Sequence, residues 1–507
     1  MTCSPFLHIA GISMSLRNPL RMAVRPRGME TEQTMDSMKR GLLAWLMICI
    51  VLGPVQAQEG AEGAAGIDEG VAAEGDMALA DLLLEKGLIS REEWEGIRSK
   101  IDRRSQTSRE QTLHETLERL TKDSHPPSAD GAVDITTNYK GLSVSSPDGD
   151  SVFSFGGRLQ VDGSTYSEGR SKLGGGTEAR RMRFRMSGTV ERDWGYKFEI
   201  NFDPGGTTEI TDSWIQYKGW GKTTATVGHQ KVPFGLQTMT SSNHQVFQER
   251  ALADAFIDSS ATGRRRMGVV ATDWGDHYHA SAGLFGEGLD DDGKTNEDWG
   301  VAGRFVAAPI AEPDQVLAFG GSVYHRDLSP NSGLRFAARP ESHIAGTKLV
   351  DTGVMAGADS VTMANAEATL VNGRFHAQGE VFDVRVDRRG MRTAAFSGYY
   401  GQVSWFLTDD SRSYSLKAAK YGRIKPKEED GALELAARYS MIDVSSRDVR
   451  GGRQEDVTVG LNWWMNPSMS MRFNYVYIHA LETAQRLGLK SASEHAGALQ
   501  MRFQVVF

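Results

Sequence analysis

Hydrophobic and polar residues alternate one by one along most of the chain from about residue 133 to the C-terminus. The segment RRMRFRMSG, residues 180–188, shows this most clearly, because positions 181, 183 and 185 are arginines and the residues between them are apolar. Successive side chains of a strand point to opposite faces, so such a segment has one polar and one apolar face. Amphipathic segments of about ten residues, separated by Gly-, Asp- and Asn-rich turns, predict a transmembrane antiparallel β-barrel over residues 151–507. Other alternating segments are YKFEINFD, HYHASAGLF, VAGRFVA, SGYYGQVSWFL, ALELAARYSM, VTVGLNWWM and SMRFNYVYI.

The C-terminal strand supports this prediction. One face of the strand is apolar and ends in Phe507, and the other face is polar. An amphipathic last strand that ends in an aromatic residue resembles the signal by which bacterial outer-membrane proteins are recognised for insertion. A soluble β-sandwich is the alternative fold, and the export signal described next favours the barrel. Tryptophans near the predicted strand ends suit an interfacial girdle, while burial in an ordinary core would explain any single one.

The N-terminal part contains one long apolar run, GLLAWLMICIVLG. It follows the basic tripeptide MKR and precedes an Ala-x-Ala-like site at residues 55–57. This arrangement predicts that residues 1–57 are an upstream extension and a secretory signal cleaved near Ala57, with Met38 or Met35 as the initiator. Both cysteines, Cys3 and Cys49, precede that site, so we expect the mature chain to lack disulfides.

The sequence predicts three segments between the signal and the barrel. Residues 58–76 are rich in Gly, Ala and Glu, which predicts a flexible linker. Residues 77–123 predict a short periplasmic helical segment, in which Gly87 ends one helix and Ser90 with Glu93 caps the next before a weak coiled coil. These helices would pack on themselves as a spacer, form trimers or bind a partner. Residues 124–150 predict a second linker.

Composition narrows the possible functions. The chain has 507 residues with 56 Gly and 15 Pro, and its mean hydropathy is −0.39. These values do not suit a bundle of membrane-spanning helices, whereas half of each barrel strand faces water. The net charge of −8 argues against a nucleic-acid partner. It says little about a pore, because selectivity depends on where the charges lie.

The cost of burying charge in lipid decides which face carries the arginines. A basic residue on the lipid face at mid-bilayer costs roughly 2–4 kcal/mol, so the arginines are expected to face the lumen. There they would form a ladder with a spacing of about 6.6 Å, and guanidinium groups suit phosphate and carboxylate oxygens. Asp162, Glu199 and Asp203 are predicted on the same face, so a role in bracing the wall stays open. The predicted anion-binding, pore-lining residues are Arg158, Arg181, Arg183, Arg185 and Lys197.

Several motifs together resemble the phosphate-selective porin O and P family. FSFGGRLQVDG, RRMRFRMSGTV and YKFEINFD are similar to its first three barrel strands. VGHQKVPFG and SSNHQVFQERALADAF are similar to a strand and an inward-folding loop, with a Pro-Phe turn at residues 233–234 and a Phe-x-Glu-Arg element at residues 247–250. GYYGQVSWFLTDDSRSY, GALELAARYSMID and VTVGLNWWMNPSMSMRFNYVYI are similar to its C-terminal strands, in the same order.

The resemblance implies a 16-stranded barrel, trimeric in the outer membrane among lipid and lipopolysaccharide, whose third loop folds inward. It implies passive diffusion of small anions, including phosphate or polyphosphate. The alternatives are a weakly selective diffusion porin and a structural or adhesive barrel without transport. Lys231 and Arg250 are candidates for the constriction loop, although Glu249 beside Arg250 also fits a pair that anchors the loop. Arg264 and Arg266 are candidates for the pore rim, facing inward or meeting lipid head groups.

An enzyme within a barrel is the rival class of function. Such a site needs a nucleophile or an activated water with a base and an orienting acid in hydrogen-bond reach. The histidines of the barrel region are scattered, with no His-x-x-x-His and no Gly-x-Ser-x-Gly motif. His277 and His279 share a strand face, but a pair at this spacing is a weak sign of a metal site. We therefore expect no enzymatic activity, no metal and no cofactor.

Overall fold

The structure is a computed structural model. It describes residues 90–91, 94–96, 98–99, 133–139, 141–167, 171–202, 208–289, 297–330, 332–482, 484 and 493–507. The predicted signal, the 58–76 linker and most of the predicted helical segment lie outside these residues. None of the helices in the described part of the chain is long and apolar enough to cross a membrane.

The chain divides into two units, Met1–Arg109 and Glu110–Phe507. In the first unit, the described residues that follow Ser90 are helical, and the amide of Trp94 donates to the carbonyl of Ser90 at 3.0 Å. The guanidinium of Arg98 lies 5.3 Å from the centre of the Trp94 ring. The described part of this helix therefore begins where the sequence predicts its N-cap.

The second unit is built on one antiparallel sheet of 18 strands. Two of them, β1 and β2, form a hairpin, and the other sixteen close into a barrel because β22 pairs with β3 from Ala498 opposite Tyr166 to Val506 opposite Arg158. Four further strands, β12, β13, β17 and β18, form two short pairs inside loops. The strands are β1 (Asp134–Asn138), β2 (Gly141–Ser145), β3 (Val152–Tyr166), β4 (Gly176–Val190), β5 (Trp194–Phe202), β6 (Thr208–Trp220), β7 (Thr223–Lys231), β8 (Arg265–Trp274), β9 (Tyr278–Phe285), β10 (Gly300–Ala311), β11 (Gln315–Asp327), β12 (Ala337–Ala338), β13 (Val350–Asp351), β14 (Ala358–Asn372), β15 (Phe375–Arg388), β16 (Ala394–Phe406), β17 (Tyr414–Ser415), β18 (Lys420–Tyr421), β19 (Ala432–Ser446), β20 (Val449–Trp464), β21 (Met469–Glu482) and β22 (Glu494–Val506).

The alternation of side chains decides what the barrel presents to each side. In β4, Phe184 is 46% exposed and Met186 is 37% exposed, whereas Arg181 is 6% exposed. The apolar residues cover the outer wall, and the polar residues between them face inward, as a strand with a period of two requires. The predicted transmembrane barrel of about 16 strands is confirmed.

The β1–β2 hairpin lies within the segment predicted as a linker, residues 124–150. Strand β2 pairs with the first residues of β3, with Leu142 opposite Phe155. It uses the same edge of β3 that pairs with β22 from Arg158 onward. The hairpin therefore extends the sheet past the end of β22. Its sequence, DITTNYKGLSVS, has little apolar content, which explains why the sequence pattern does not predict strands here.

The two ends of the barrel differ in their connections. At the end where β3 begins and β22 ends, most turns are tight, such as residues 221–222 and 373–374. Gly221 and Gly373 have φ of 74° and 54°, which glycine adopts without strain. One connection at this end is long, residues 407–431. At the opposite end, two long loops, residues 232–264 and 328–357, fold inward.

These two loops form a hydrophobic core inside the barrel. Phe256 of the 232–264 loop packs against Phe336 of the 328–357 loop at 5.3 Å between ring centres, and Phe336 packs against Phe396 of β16 at 5.7 Å. Val232, Phe234 and Ile257 belong to the same buried cluster. Apolar packing thus fixes both loops against the wall at β14–β16, while the inner faces of β3–β6 and β22 carry charged residues.

Candidate pore-lining site

Residues 232–264, here called the inward loop, are attached to the far wall by Glu380 of β15. The loop begins with a short helix, α1 (Leu236–Met239), and also contains a 3₁₀ helix, Leu252–Phe256. The carboxylate of Glu380 accepts hydrogen bonds from the amides of Leu236 at 2.7 Å and Gln237 at 2.9 Å. Gly235 precedes them with φ 72°, and a Cβ there would lie 2.8 Å from Glu380 Oε1. The Pro-Phe-Gly turn therefore brings the loop into contact with the wall.

The Phe-x-Glu-Arg element attaches the inward loop on its other side. Glu249 lies 2.9 Å from Arg180, 3.9 Å from Arg181 and 2.7 Å from Arg502. Arg250 points elsewhere: it donates to the carbonyls of Gln237 at 2.9 Å and Thr240 at 3.1 Å. The pairing of Glu249 with Arg250 that the sequence suggested is not formed. The two neighbouring side chains therefore point in different directions. Glu249 binds the barrel wall, and Arg250 stabilises the loop by bonding to its backbone.

Seven basic side chains share four carboxylates on the inner wall. Glu199 lies 3.1 Å from Arg158, 3.0 Å from Arg183 and 3.8 Å from Lys197. Asp212 pairs with Lys197 and, at 2.7 Å, with Arg265, while Asp162 and Glu249 both bind Arg502. The inner basic cluster is defined as Arg158, Arg180, Arg181, Arg183, Lys197, Arg265 and Arg502 with Asp162, Glu199, Asp212 and Glu249. Seven positive and four negative charges leave an excess of three positive charges.

A β-bulge explains why Arg180 belongs to this cluster. Gln160 of β3 lies opposite Arg181, and the next residue, Val161, lies opposite Ala179, so that Arg180 is the extra residue in β4. A bulge reorients the residue it inserts, and here Arg180 and Arg181 both approach Glu249. Simple alternation assigned only Arg181 to the lumen. The sequence shows the arginine doublet but carries no signal for the bulge.

The cluster contains four of the five predicted pore-lining residues, namely Arg158, Arg181, Arg183 and Lys197. The fifth, Arg185, lies directly opposite Glu199 in the register of β4 and β5. Of the acidic residues predicted inside, Asp162 and Glu199 are in the cluster. Asp203 lies outside the described residues.

The two predicted rim arginines support the base of the inward loop. Arg264 pairs with Asp254 and lies 3.1 Å from Asp258, both of which belong to the loop. Arg266 is 6% exposed, lies 2.8 Å from Glu287 and donates to the carbonyl of Ala261 at 2.7 Å. Both side chains are turned to the protein interior and away from lipid. Arg265 between them, which alternation does not place inside, joins the basic cluster through Asp212.

The described residues contain no group of three or more His, Cys, Asp and Glu side chains placed to hold a metal ion. His277 and His279 have separate partners. Nδ1 of His277 lies 3.0 Å from the carbonyl oxygen of Ala308, and Nδ1 of His279 lies 3.2 Å from that of Lys417. Each imidazole therefore contacts a different backbone carbonyl.

Comparison with known proteins identifies the family. Residues 153–507 match the family described as phosphate-selective porin O and P. The chain belongs to this family. The porin is 29% identical over 390 residues to Porin O of Pseudomonas aeruginosa, which covers 68% of this chain and 87% of that protein. It is also 29% identical over 378 residues to an uncharacterized protein of Caulobacter vibrioides, covering 71% of this chain and 74% of that one.

Among solved structures, an anion-selective porin from Comamonas acidovorans resembles the barrel with a TM-score of 0.48 and 11% identity, covering 70% of this chain and all (100%) of that one. Family and fold place the protein in the bacterial outer membrane. Because outer-membrane barrels have short periplasmic turns and longer extracellular loops, the end with the tight turns is the periplasmic end.

The long connection at residues 407–431 is thus a periplasmic loop, and it enters the porin's lumen. Arg304 of β10 donates to the carbonyl of Ala419 at 2.8 Å, and Nζ of Lys417 lies 4.7 Å from the centre of the Trp274 ring. The amide of Tyr421 donates to Thr240 Oγ1 of the inward loop at 3.4 Å. The periplasmic loop and the inward loop therefore meet inside the barrel.

Two lysines bring further positive charge to this meeting point. Lys231 lies at the base of the inward loop, where its Nζ donates to the carbonyls of Met239 at 3.1 Å and Thr240 at 3.4 Å. Lys420 of the periplasmic loop is close enough to Lys197 and Lys231 for their charges to interact. Within the described ranges, neither lysine has a carboxylate oxygen within 4.0 Å. Of these two lysines, the sequence pattern predicts Lys231 but not Lys420, whose signal is the basic segment LKAAKYGRIKPK in an unusually long periplasmic connection.

Proposed function

We propose that the porin forms a water-filled channel that passes small anions in preference to cations and holds phosphate-like oxyanions best. The observation that carries this proposal is the excess of positive charge in the inner basic cluster. Lys231 and Lys420 add to that excess where the two loops narrow the lumen. A guanidinium group presents parallel N–H donors that match the oxygens of phosphate and carboxylate, and it stays charged at any physiological pH.

The shared carboxylates make the proposed site suitable for transit rather than tight binding. Conduction requires an anion to bind strongly enough to enter and weakly enough to leave. Glu199 contacts three basic residues and Asp212 contacts two, so the positive charge of each of these basic residues is only partly neutralised. We expect a series of moderate sites along β3–β6 and no catalytic chemistry.

A weakly selective diffusion porin is the second candidate. This candidate is supported because every basic residue of the inner basic cluster already contacts a carboxylate, as residues that only stabilise the wall would. Under either function we also propose a homotrimer set among lipid and lipopolysaccharide, as the family resemblance implies. The two candidates differ in ion selectivity and in the response to phosphate.

The test is single-channel recording of the purified porin in a lipid bilayer, with reversal potentials measured under a potassium chloride gradient. The variant is the triple substitution of Arg181, Arg183 and Arg185 to Gln. A matched control replaces Arg192, Arg385 and Arg389 by Gln, because these exposed arginines also pair with aspartates but lie outside the cluster. We expect anion selectivity and block by added phosphate in the wild type and in the control, and loss of both in the inner variant. A wild-type channel without ion preference that ignores phosphate would leave the weakly selective porin as the function.

A further inference from the structure

The 328–357 loop, here called the strap, crosses the extracellular mouth of the barrel. It leaves β11 and returns to β14, yet Glu341 within it pairs with Arg438 of β19 and accepts a hydrogen bond from Thr458 of β20 at 2.6 Å. Further along, the amide of Gly346 donates to the carbonyl of Leu173, between β3 and β4, at 2.7 Å. The strap thus reaches from the wall at which it starts to the wall that carries the basic cluster.

A histidine and a glutamate join the strap to that wall. Nδ1 of His343 lies 2.8 Å from both carboxylate oxygens of Glu178 in β4. Glu178 is two residues before Arg180, so the pair lies at the extracellular end of the basic cluster. The His343 side chain is 33% exposed and that of Glu178 is 24% exposed, so water and protons of the mouth reach both groups.

The charged groups around this pair come from several elements. Arg180 of β4 and Glu249 of the inward loop are near enough to Glu178 for their charges to interact. Asp162 of β3 lies opposite Glu178 but is bound to Arg502. The hydroxyl of Tyr166, in β3, is near enough to Glu178 and to Arg339 of the strap to interact with their charges. Lys348 of the strap is in turn near enough to Arg339 for their charges to interact. Among these groups, Glu178 is a carboxylate whose ion-pair partner is a histidine, so its neutralisation depends on pH.

We propose that His343 and Glu178 form a titratable pair that sets how strongly the porin prefers anions. The inference rests on the proposed anion channel and adds its regulation. An imidazole gains a proton between pH 8 and pH 5. With a neutral ring the pair carries one negative charge, and with a protonated ring it carries none. One unit of charge at about 8 Å from an ion in water changes its local concentration about twofold. Loss of the negative charge raises the local anion concentration and lowers the local cation concentration by about this factor each, so the anion-to-cation permeability ratio rises about fourfold as pH falls across this range.

The experiment measures reversal potentials of the full-length porin in a potassium chloride gradient at pH 8 and pH 5. Chloride is used because its own charge does not change with pH. The variants are His343→Gln, which cannot titrate, and Glu178→Gln, which removes the negative charge. The matched control is His325→Gln. His325 lies 3.3 Å from Asp327 in a similar pair but shares the outer strand face with the exposed Val323.

We expect the wild type and His325→Gln to show the fourfold rise, and His343→Gln to lose most of it. Glu178→Gln raises the ratio already at pH 8. A pH dependence that persists unchanged in His343→Gln would overturn the inference. A wild type that prefers no anion at either pH would instead overturn the proposed function. Heat-modifiable migration on gels establishes that each variant has a folded barrel before its selectivity is compared.

Discussion

Replacement of Glu380 by alanine tests whether one carboxylate holds the inward loop in the lumen. Glu380 is 2% exposed and accepts hydrogen bonds from the amides of Leu236 and Gln237, from Asn365 Nδ2 at 3.1 Å and from the hydroxyl of Tyr400 at 2.7 Å. The first two donors belong to the loop and the other two to the wall. Alanine removes the acceptor that joins them.

The size of the effect follows from the two loop donors. A buried donor left without an acceptor costs about 1–3 kcal/mol, so two of them weaken the attachment by about 2–6 kcal/mol. Water that enters the vacated space recovers part of this. A net loss of about 3 kcal/mol raises the population of detached loop roughly 10²-fold. Glu380→Gln keeps one acceptor oxygen, and we expect an intermediate effect from it.

Single-channel recording measures the consequence, because a loop that leaves the wall changes the open-channel current. We expect Glu380→Ala to show frequent current fluctuations and faster cleavage of the inward loop by a protease added to the extracellular side. Gln402→Ala is the matched control, since Gln402 contacts the same loop through one longer bond, 3.3 Å from Gln237 Nε2. Recordings from a folded Glu380→Ala barrel that are as quiet as those of the control would refute the anchoring role.

Three further predictions concern the wall and the periplasmic loop. Arg502→Ala leaves Asp162 and Glu249 without their 2.6 Å and 2.7 Å partner, and we expect a loss of about 3–5 kcal/mol, visible as a lower unfolding temperature. Phe184→Arg places a charge on the outer wall and should cost up to about 2–4 kcal/mol, measured by guanidinium unfolding in lipid vesicles. Lys420→Gln should lower the anion-to-cation permeability ratio without changing the unfolding temperature, whereas Arg385→Gln should change neither.

The barrel was predictable because its strands obey a strict physical constraint. A membrane strand places alternate side chains in lipid and in water, and a shift by one residue would reverse every face. Residues 181–186 show this constraint without exception. The β1–β2 hairpin and the 407–431 loop are not bound by it. Contacts inside or below the barrel determine their conformation, and no periodicity in their sequences reports those contacts.

The residues of the site could be predicted only where their strands follow the same alternation. Arg158, Arg183 and Lys197 follow from alternation alone, because their strands are regular where they occur. Arg180 enters through a bulge, and Arg265 lies where a strand meets the inward loop, so a period of two fails at both positions. Lys420 is brought in by a loop that folds through the lumen. The pattern identified the wall but not the groups that loops and irregular backbone add to it.

The balance of charge within the inner basic cluster helps to separate the two candidate functions. A wall whose charged residues only stabilise the barrel is best served by equal numbers of basic and acidic side chains. Like charges that remain unpaired repel one another and destabilise the compact state. Here four carboxylates serve seven basic residues, and Lys231 and Lys420 increase the imbalance. Glu199 keeps Arg158 and Lys197 as partners when Arg183 is removed, so the wall has more cations than its carboxylates require. A passing anion would relieve this surplus, which is the reason that we propose a channel for anions over a brace.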